Sequence, residues 1–149
     1  MNLVRTNSEN LDFVGLVQLL DAYLAVQDGE EHAFYDQFNK IDTLQNVVIC
    51  YVENVAVGCG AFKPFDEKTV EIKRMFTLPE HRGKGIASAL LKELEAWAKE
   101  LQYSNAVLET GARQPEAISL YLKCGYQRIE NYGQYAGIEN SLCFEKHVV

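Results

Sequence analysis

Arg82-Gly83-Lys84-Gly85-Ile86-Ala87 joins a strand-like run that ends at Leu78 to a helical pattern that continues from Ser88. Glycine allows the backbone to approach a ligand closely, because no side chain stands in the way. The first N–H groups of a helix have no partner within the helix and lie at its positive end, so they bind anions such as phosphate. Arg82 and Lys84 add positive charge to an acidic chain. The stretch is therefore interpreted as a diphosphate-binding loop between a strand and a helix.

Two familiar nucleotide-binding motifs do not fit this loop. The dinucleotide fingerprint requires G-x-G-x-x-G, and Ser88 stands at the third glycine position. That motif also needs an acidic residue about 20 positions further on in a second strand, which this chain lacks. The Walker loop requires G-x-x-x-x-G-K-[ST], a frame that Lys84 does not have. These mismatches argue against an oxidoreductase or a kinase, and the pattern that matches is R-x-x-G-x-A, as Arg82-x-x-Gly85-x-Ala87.

Composition indicates one ordinary globular domain over residues 1–149. Hydrophobic residues make up 48% of the 149, which suits a single sizeable core. The net charge of −7 argues against a nucleic-acid partner, because phosphate backbones are bound by basic patches. No apolar run reaches membrane-spanning length and no signal-peptide pattern is present, so a cytoplasmic location is expected. The four cysteines form no C-x-x-C motif, so free thiols are expected and a metal site is not.

Periodicity predicts the order β-α-α-β-β-β-α-β-α-β-β, an α/β chain (α+β mixed sheet) with a central mixed sheet flanked by helices. The predicted helices are Glu9–Val26, Glu30–Phe38, a pattern from Ile86 to Leu101, and a segment that Gln114-Pro115-Glu116 opens and Gly125 ends. The predicted strands are Asn2–Thr6, Val47–Val52, Val55–Phe65, Val70–Leu78, Asn105–Thr110, Tyr126–Glu130 and Asn140–Lys146. The succession of strand, helix and strand around the loop predicts a right-handed crossover and a parallel pair.

The R-x-x-G-x-A pattern occurs together with three other segments. These are Gly58-Cys59-Gly60-Ala61, the strand through Met75 to Thr77, and the run from Ala117 to Tyr126, which is similar to A-I-x-L-Y-x-x-x-G-[FY]. In this combination the chain resembles the GNAT superfamily of N-acetyltransferases over nearly its whole length. The resemblance implies a single acetyltransferase domain with a GNAT-like fold and with acetyl-CoA as the donor substrate.

The resemblance also implies positions for the donor. The diphosphate of acetyl-CoA would bind the backbone of Arg82, Gly83, Lys84, Gly85, Ile86 and Ala87. The pantetheine arm would lie between two splayed parallel strands, Met75-Phe76-Thr77 and Leu108-Glu109-Thr110, where a backbone N–H near Phe76 would meet the acyl oxygen. Gln114 stands where many members have an asparagine that binds the arm, and an amide one carbon longer could make the same contact.

Acetyl transfer from a thioester to an amine needs an acid that protonates the leaving thiolate. The resemblance implies Tyr121 for this role, because family members place the tyrosine of this segment near the sulfur of the cofactor. A phenol has an ordinary pKa of about 10 against about 8.5 for a thiol, so proton transfer needs local help. A core aromatic in a buried stripe formed with Ala117, Ile118 and Leu122 is the alternative for Tyr121.

The reaction also needs a base that takes a proton from the amine. Glu71 is the candidate, because histone-type members of the superfamily carry a catalytic glutamate at the matching place in this strand. Strand alternation would place Glu71 with Lys73, Met75 and Thr77 on one face of the sheet. A pairing of Glu71 with Lys73 or with a cross-strand cation is the alternative, and Glu109 or a chain of water molecules are rival bases.

The acceptor is expected to be a primary amine of a small molecule, with direct transfer in a ternary complex. A protein lysine or N-terminus, and a non-catalytic CoA-binding or regulatory domain, are the alternatives. His32, Tyr35, Tyr132 and Tyr135 lie in segments that shape the acceptor pocket in the superfamily, and packing or solvent-facing roles are equally open for them. His81 is read as an exposed turn residue or as a phosphate contact. A homodimer is expected only by analogy with other members.

Overall fold

The computed structural model describes residues 1–29, 34–35 and 44–148 of the chain. In these ranges the strands are β1 (Asn2–Thr6), β2 (Asn46–Val52), β3 (Val55–Pro64), β4 (Thr69–Thr77), β5 (Asn105–Gly111), β6 (Gln127–Ile129) and β7 (Ser141–His147). The longer helices are α1 (Leu11–Asp28), α2 (Ile86–Glu100) and α3 (Pro115–Lys123). The strands form one seven-stranded sheet in the order β1-β2-β3-β4-β5-β7-β6, in which β4 and β5 are parallel and the other neighbours antiparallel.

The predicted α/β class and the predicted order of these elements are confirmed. Helix α1 begins at Leu11, two residues after the predicted start, because the side chain of Asn10 caps it and accepts hydrogen bonds from two backbone N–H groups at 2.9 and 3.3 Å. The predicted second helix, Glu30–Phe38, lies outside the described residues except for Phe34 and Tyr35. None of the described helices is both long and apolar enough to cross a membrane.

Helices cover both faces of the sheet, as predicted. Helix α1 packs on one face of the sheet. Its buried residues are Phe13, Leu16, Val17 and Leu20, and they share a core cluster with residues of β2 and β3, namely Val47, Ile49, Cys59 and Ala61. Helix α2 packs on the other face through a second stripe, which meets β3 and β4: Leu90, Leu91, Leu94 and Ala98 against Val57, Phe62, Val70 and Ile72. Because α2 begins directly after the glycine loop, its packing on the sheet fixes the position of that loop.

The parallel pair β4–β5 comes apart part-way along its length. Pairing joins Thr69 to Asn105, Val70 to Ala106, and Glu71 to Val107. From there on β4 stays paired with β3, and β5 stays paired with β7. The predicted gap between residues 75–77 and residues 108–110 is therefore present in the sheet.

A β-bulge interrupts β4 just beyond the point where it leaves β5. Ala61 pairs with Lys73 while Cys59 pairs with Phe76, so three steps along β4 match two steps along β3. Arg74 takes up the extra residue with a φ of 61°, in the left-handed region that few side chains adopt. The bulge keeps Arg74 on the α1 side of the sheet, where it forms an ion pair with Asp21 of α1.

The bulge overturns the prediction that Glu71, Lys73, Met75 and Thr77 share one face. Glu71 and Lys73 lie on the α1 side, where both line a pocket together with residues of α1. Met75 packs into the core beneath α2 instead. Thr77 lies on that side as well, because it is paired with Gly58, which faces α2. Simple alternation fails because the bulge at Arg74 adds one residue to β4 between Lys73 and Met75, so the residues after it face the opposite side.

Close packing between α2 and β3 depends on Gly60. A methyl group there would overlap the Sδ of Met75 and lie 2.9 Å from Cδ1 of Leu94. We expect Gly60→Ala to lower the free energy of unfolding by about 1–3 kcal/mol, measured by chemical denaturation, because overpacking forces neighbours to move. Gly15→Ala is the control, since Gly15 has no atom within 4 Å of the added methyl and lies in a helix, where alanine is favoured. Equal stability of the two variants would contradict this packing argument.

Candidate active site

The glycine loop presents backbone N–H groups to open space. It follows a short 3-10 turn, Pro79–His81, and ends at Gly85, the N-cap of α2. Gly83 and Gly85 have φ values of 78° and 81°, a conformation that glycine adopts without strain. Among the described residues no side chain caps α2, so its first N–H groups stay available to an anion. A methyl group on either glycine would meet no atom within 4 Å, so open space adjoins the loop at both positions.

The loop forms one wall of a cavity that we call the loop cleft. Strand β4 and helix α3 form the other walls. Of the residues predicted to bind the cofactor, those that line the loop cleft are Met75, Phe76, Thr77, Arg82, Gly83, Gly85, Ile86, Ala87 and Gln114. Lys84 is exposed and lies outside this lining, and Tyr121 lines the neighbouring cavity. His81 is half-buried and lines the loop cleft, so it is not simply an exposed turn residue.

Arg82 ties the loop to the end of β4 and to α1. Its Nε donates a hydrogen bond to the carbonyl oxygen of Thr77 at 3.1 Å. Its guanidinium lies over the ring of Tyr23, 5.4 Å from the ring centre, a distance at which a cation and an aromatic face attract each other. These contacts hold the guanidinium at the rim of the loop cleft, where it adds positive charge.

A second cavity, the inner pocket, continues from the loop cleft beneath α1. The two cavities share Leu20, Met75 and Gln114 as lining residues. Charged and phenolic side chains dominate the rest of the inner pocket: Glu71, Lys73, Arg74, Glu109, Tyr121, Tyr35 and Tyr135. The two cavities therefore meet at the gap between β4 and β5.

Glu71 is buried in the inner pocket, with 3% of its surface exposed. The hydroxyl of Tyr132 donates a hydrogen bond to its Oε2 at 2.7 Å, and Nζ of Lys63 lies 3.8 Å from its Oε1. Lys63 is its cross-strand neighbour on β3, so the cross-strand pairing weighed as an alternative is present. Burial lowers the pKa of Lys73, and the negative charge of Glu71 opposes that change. A carboxylate has about four lone-pair positions, so Glu71 can still accept a hydrogen bond from a ligand.

Tyr121, a residue of α3, is buried against the sheet. Its ring makes aromatic contacts with Tyr126 and Phe144, at 5.9 and 6.1 Å between ring centres. Burial raises the pKa of its hydroxyl, and the negative charge of Glu109 raises it further. No described residue hydrogen-bonds this hydroxyl, which leaves it able to donate to a ligand. The prediction that Leu122 belongs to the buried stripe is wrong, because Leu122 is 52% exposed.

Aromatic side chains close the far side of the inner pocket. The rings of Tyr35 and Tyr135 are stacked at 6.4 Å, and Tyr132 meets Tyr135 edge-on at 5.8 Å. The hydroxyls of Tyr35 and Ser141 lie 2.9 Å apart, within hydrogen-bonding distance. Tyr35 and Tyr135 thus line the inner pocket in the segments that were expected to shape an acceptor site, whereas His32 lies outside the described residues.

Sequence reasoning missed Arg74, whose side chain is only 1% exposed although it is charged. Arg74 lines the inner pocket beside Lys73. Two consecutive basic residues inside a predicted central strand were the available signal, because regular alternation would turn their side chains to opposite faces of a sheet that helices cover on both sides.

The comparison with known proteins identifies the family. The sequence profile of the acetyltransferase (GNAT) family matches residues 13–126. The chain belongs to the GNAT family of acetyltransferases. An IAA acetyltransferase from Azospirillum brasilense is 33% identical over 135 residues, which cover 89% of this chain and 88% of that protein. The predicted family and fold are therefore confirmed.

Solved structures agree with this GNAT assignment. A Klebsiella pneumoniae protein assigned as an acyl-CoA N-acyltransferase is 29% identical, with a TM-score of 0.83 over 99% of this chain and 97% of that one. A GNAT acetyltransferase from Elizabethkingia anophelis, solved with acetyl-CoA bound, shares the fold with a TM-score of 0.71 and 19% identity over 98% and 97% of the two chains.

Some relatives of this GNAT chain are considerably longer. N-acetyltransferase 8F1 from mouse is 38% identical over 69 residues, which are 46% of this chain and 31% of that protein. A related mouse N-acetyltransferase matches over 36% of its length. The match thus spans about a third of the length of these mouse relatives.

Proposed function

We propose that this acetyltransferase, acting as a single domain, moves the acetyl group of acetyl-CoA directly to a primary amine of a small molecule. The main support for this proposal is that the loop cleft and the inner pocket meet at the gap between β4 and β5. A donor held by the glycine loop and an amine held in the inner pocket would meet there, beside Met75 and Gln114. Such an arrangement brings both reactants together in one ternary complex, which removes most of the entropic cost of their encounter.

Acetyl-CoA is the proposed donor because the loop cleft offers what its parts require. The free N–H groups at the start of α2 suit a diphosphate. Beyond Glu71, the edge of β4 that faces the gap has left β5, so its backbone groups can bond the pantetheine arm instead. A backbone N–H near Phe76 would then stabilise the oxyanion that forms when the amine attacks the thioester. The bound acetyl-CoA of the Elizabethkingia neighbour supports the same assignment.

The proton transfers are assigned to the inner pocket. Glu71 or Glu109 takes a proton from the ammonium group, and the resulting amine attacks the carbonyl carbon of the thioester. As the tetrahedral intermediate collapses, the C–S bond breaks and the hydroxyl of Tyr121 protonates the departing thiolate. The remaining extra proton on the attacking nitrogen then restores the Tyr121 hydroxyl, and the glutamate releases its proton to solvent. Each of these side chains lines the inner pocket, within the same cavity as the proposed amine.

Direct transfer is favoured over an acetyl-cysteine intermediate by the positions of the thiols. Across residues 1–29, 34–35 and 44–148, no cysteine lines the loop cleft or the inner pocket. Cys50, Cys59 and Cys143 are buried, and burial raises the pKa of Cys59 to about 12. A buried thiol that does not ionise is a poor nucleophile.

The test is CoA release, measured with a thiol reagent, from acetyl-CoA in the presence of a panel of primary amines and lysine peptides. We expect turnover with at least one small amine. Turnover with peptides alone would replace the small-molecule acceptor with a protein. Binding of acetyl-CoA without turnover on any amine would indicate a non-catalytic CoA-binding domain.

The two candidate bases are separated by single substitutions. We expect Glu71→Gln to lower kcat by about 100-fold or more, and Glu109→Gln to lower it less, because a general base contributes about 10²- to 10⁴-fold. Glu95→Gln is the matched control, since Glu95 also binds a tyrosine hydroxyl and a lysine, at 2.9 and 2.8 Å from Tyr126 and Lys146, but lies outside both cavities. A large fall in Glu109→Gln alone would transfer the role to Glu109, and a small effect in both would favour a chain of water molecules.

A further inference from the structure

The inner pocket contains a pair of neighbouring cations that the transfer reaction does not use. Lys73 and Arg74 are consecutive, and in a regular strand their side chains would point to opposite faces. The bulge at Arg74 turns both to the α1 side, where both line the inner pocket. Both residues are buried, with 8% and 6% of their surface exposed.

Arg74 retains unused hydrogen-bonding capacity. Its Nη2 donates to Oδ1 of Asp21, but its Nε and Nη1 are buried and have no hydrogen-bond partner among the residues that the structure describes. Buried donors are nearly always paired in folded proteins, because an unpaired charged donor loses the hydration that it had in water. The left-handed φ of this non-glycine residue adds backbone strain. Arg74 is therefore a buried and only partly paired guanidinium on a strained backbone, and it borders a cavity from which a ligand can supply the missing acceptor.

The other charges around the pocket limit what that ligand can be. Asp21, on α1, is 41% exposed and faces Arg74 from the side of the helix. Glu71 and Glu109 line the same pocket, and Lys63 lies against Glu71. Carboxylates and cations therefore share one cavity, which suits a ligand that carries charges of both signs. A purely cationic acceptor, such as a polyamine, would leave the donors of Arg74 unpaired.

We propose that Arg74, supported by Lys73, binds the carboxylate of the acceptor, so that the acceptor is an amino carboxylate such as an α-amino acid. This inference rests on the proposed function and narrows its substrate class. The carboxylate accepts a hydrogen bond from a free donor of Arg74, and the amino group is turned toward the glutamates and the gap between β4 and β5. Arg74 thus acts as a specificity residue that positions the amine without taking part in the proton transfers.

The test compares α-amino acids with their decarboxylated amines, such as phenylalanine with phenethylamine and lysine with cadaverine. A charge-assisted hydrogen bond corresponds to about 10- to 100-fold in affinity, so we expect kcat/KM to favour the amino acids by about that factor. We expect Arg74→Gln to abolish the preference, raising KM for the amino acids far more than KM for the amines. Equal effects of Arg74→Gln on both substrates, or a wild-type preference for the amines, would overturn the proposal. Aminophosphonates are tested as a third group of substrates. If the enzyme prefers them over the amino acids, the anion that Arg74 binds is a phosphonate-like group and not a carboxylate, which would overturn the proposal.

A second variant distinguishes the loss of carboxylate binding from a general loss of structure. Asp21→Asn removes the ion-pair partner of Arg74 but leaves the guanidinium in place. We expect Asp21→Asn to keep the preference for amino acids, whereas a purely structural role for the Arg74–Asp21 pair would make both variants lose it together. Thermal melting of both variants reports whether each one folds.

A binding measurement keeps the inference separate from the proposed function. 3-Phenylpropanoate, which is phenylalanine without its amino group, is titrated by calorimetry into the wild type and Arg74→Gln, each saturated with CoA. We expect binding to the wild type that weakens about 10-fold or more in the variant. If no amine is acetylated but this difference is found, the proposed function fails and the carboxylate site stands. If amines are acetylated but 3-phenylpropanoate binds both proteins alike, only the carboxylate site fails.

Discussion

Tyr121→Phe is expected to lower kcat by about 100-fold or more, because a general acid contributes about 10²- to 10⁴-fold. Only the hydroxyl is removed, and the ring keeps its contacts with Tyr126 and Phe144. Acetyl-CoA binding, measured by calorimetry, should change little, since Tyr121 lines the inner pocket and not the loop cleft. The measurement is steady-state CoA release with saturating acetyl-CoA.

The raised pKa of Tyr121 defines the form in which its hydroxyl acts. Burial favours the neutral phenol, so the group holds its proton throughout the ordinary working pH range. A thiolate released in the same buried gap also has a raised pKa, and this offsets the weaker acidity of the phenol. We therefore expect that Tyr121 introduces no fall in kcat between about pH 7 and about pH 9.

Tyr126→Phe is the matched control for Tyr121→Phe. Tyr126 is another buried tyrosine of the same aromatic cluster, and it lies outside both cavities. Its hydroxyl donates to Glu95 at 2.9 Å, so its loss is expected to lower stability by about 1–3 kcal/mol without a comparable fall in kcat. If both substitutions lower kcat equally, Tyr121 supports the fold and the acid lies elsewhere.

Gly85→Ala is expected to raise the KM for acetyl-CoA by about 10- to 100-fold, the equivalent of losing one charge-assisted hydrogen bond to the diphosphate. Gly85 has a φ of 81° and precedes the free N–H groups of α2. The added methyl group would occupy open space at a residue that lines the loop cleft, where the diphosphate is proposed to lie. kcat at saturating acetyl-CoA should change much less, because the reacting groups meet at the gap between β4 and β5, away from the glycine loop.

Gly137→Ala separates this effect from backbone strain. Gly137 has a φ of 78° and no atom within 4 Å of an added methyl group, so it matches Gly85 in conformation and surroundings. It lies outside the lining of the loop cleft and of the inner pocket. Both variants should lose about 1–2 kcal/mol of stability, but only Gly85→Ala should raise KM. Equal KM values in the two variants would show that the loop does not hold the donor.

The order of elements and the loop could be predicted from sequence because their signals are local. Helix α2 carries an amphipathic pattern, and the strands before it are rich in branched residues. Gly85 directly precedes the helical pattern predicted from Ile86, and the structure shows it as the N-cap of α2. The splay of β4 and β5 came from the family resemblance and not from any local pattern.

The interior of the candidate site could not be predicted, because distant segments build it. The bulge at Arg74 contains no glycine or asparagine, the residues that usually mark a left-handed backbone conformation. The position of the bulge depends instead on the register of β4 against β3. Tyr132 and Glu71 are 61 positions apart in the chain, yet their side chains are hydrogen-bonded. Regular alternation predicted Met75 and Glu71 on the same face of the sheet, but the bulge places them on opposite faces.

The central claim is that the loop and the gap in the sheet hold acetyl-CoA with its thioester facing the inner pocket. A crystal structure of the wild-type chain soaked or co-crystallised with acetyl-CoA tests it most directly. We expect the diphosphate to lie over the N–H groups of residues 83–87 and the sulfur to lie within about 3.5 Å of the Tyr121 hydroxyl. Acetyl-CoA bound elsewhere on the chain, or no binding at all, would contradict it.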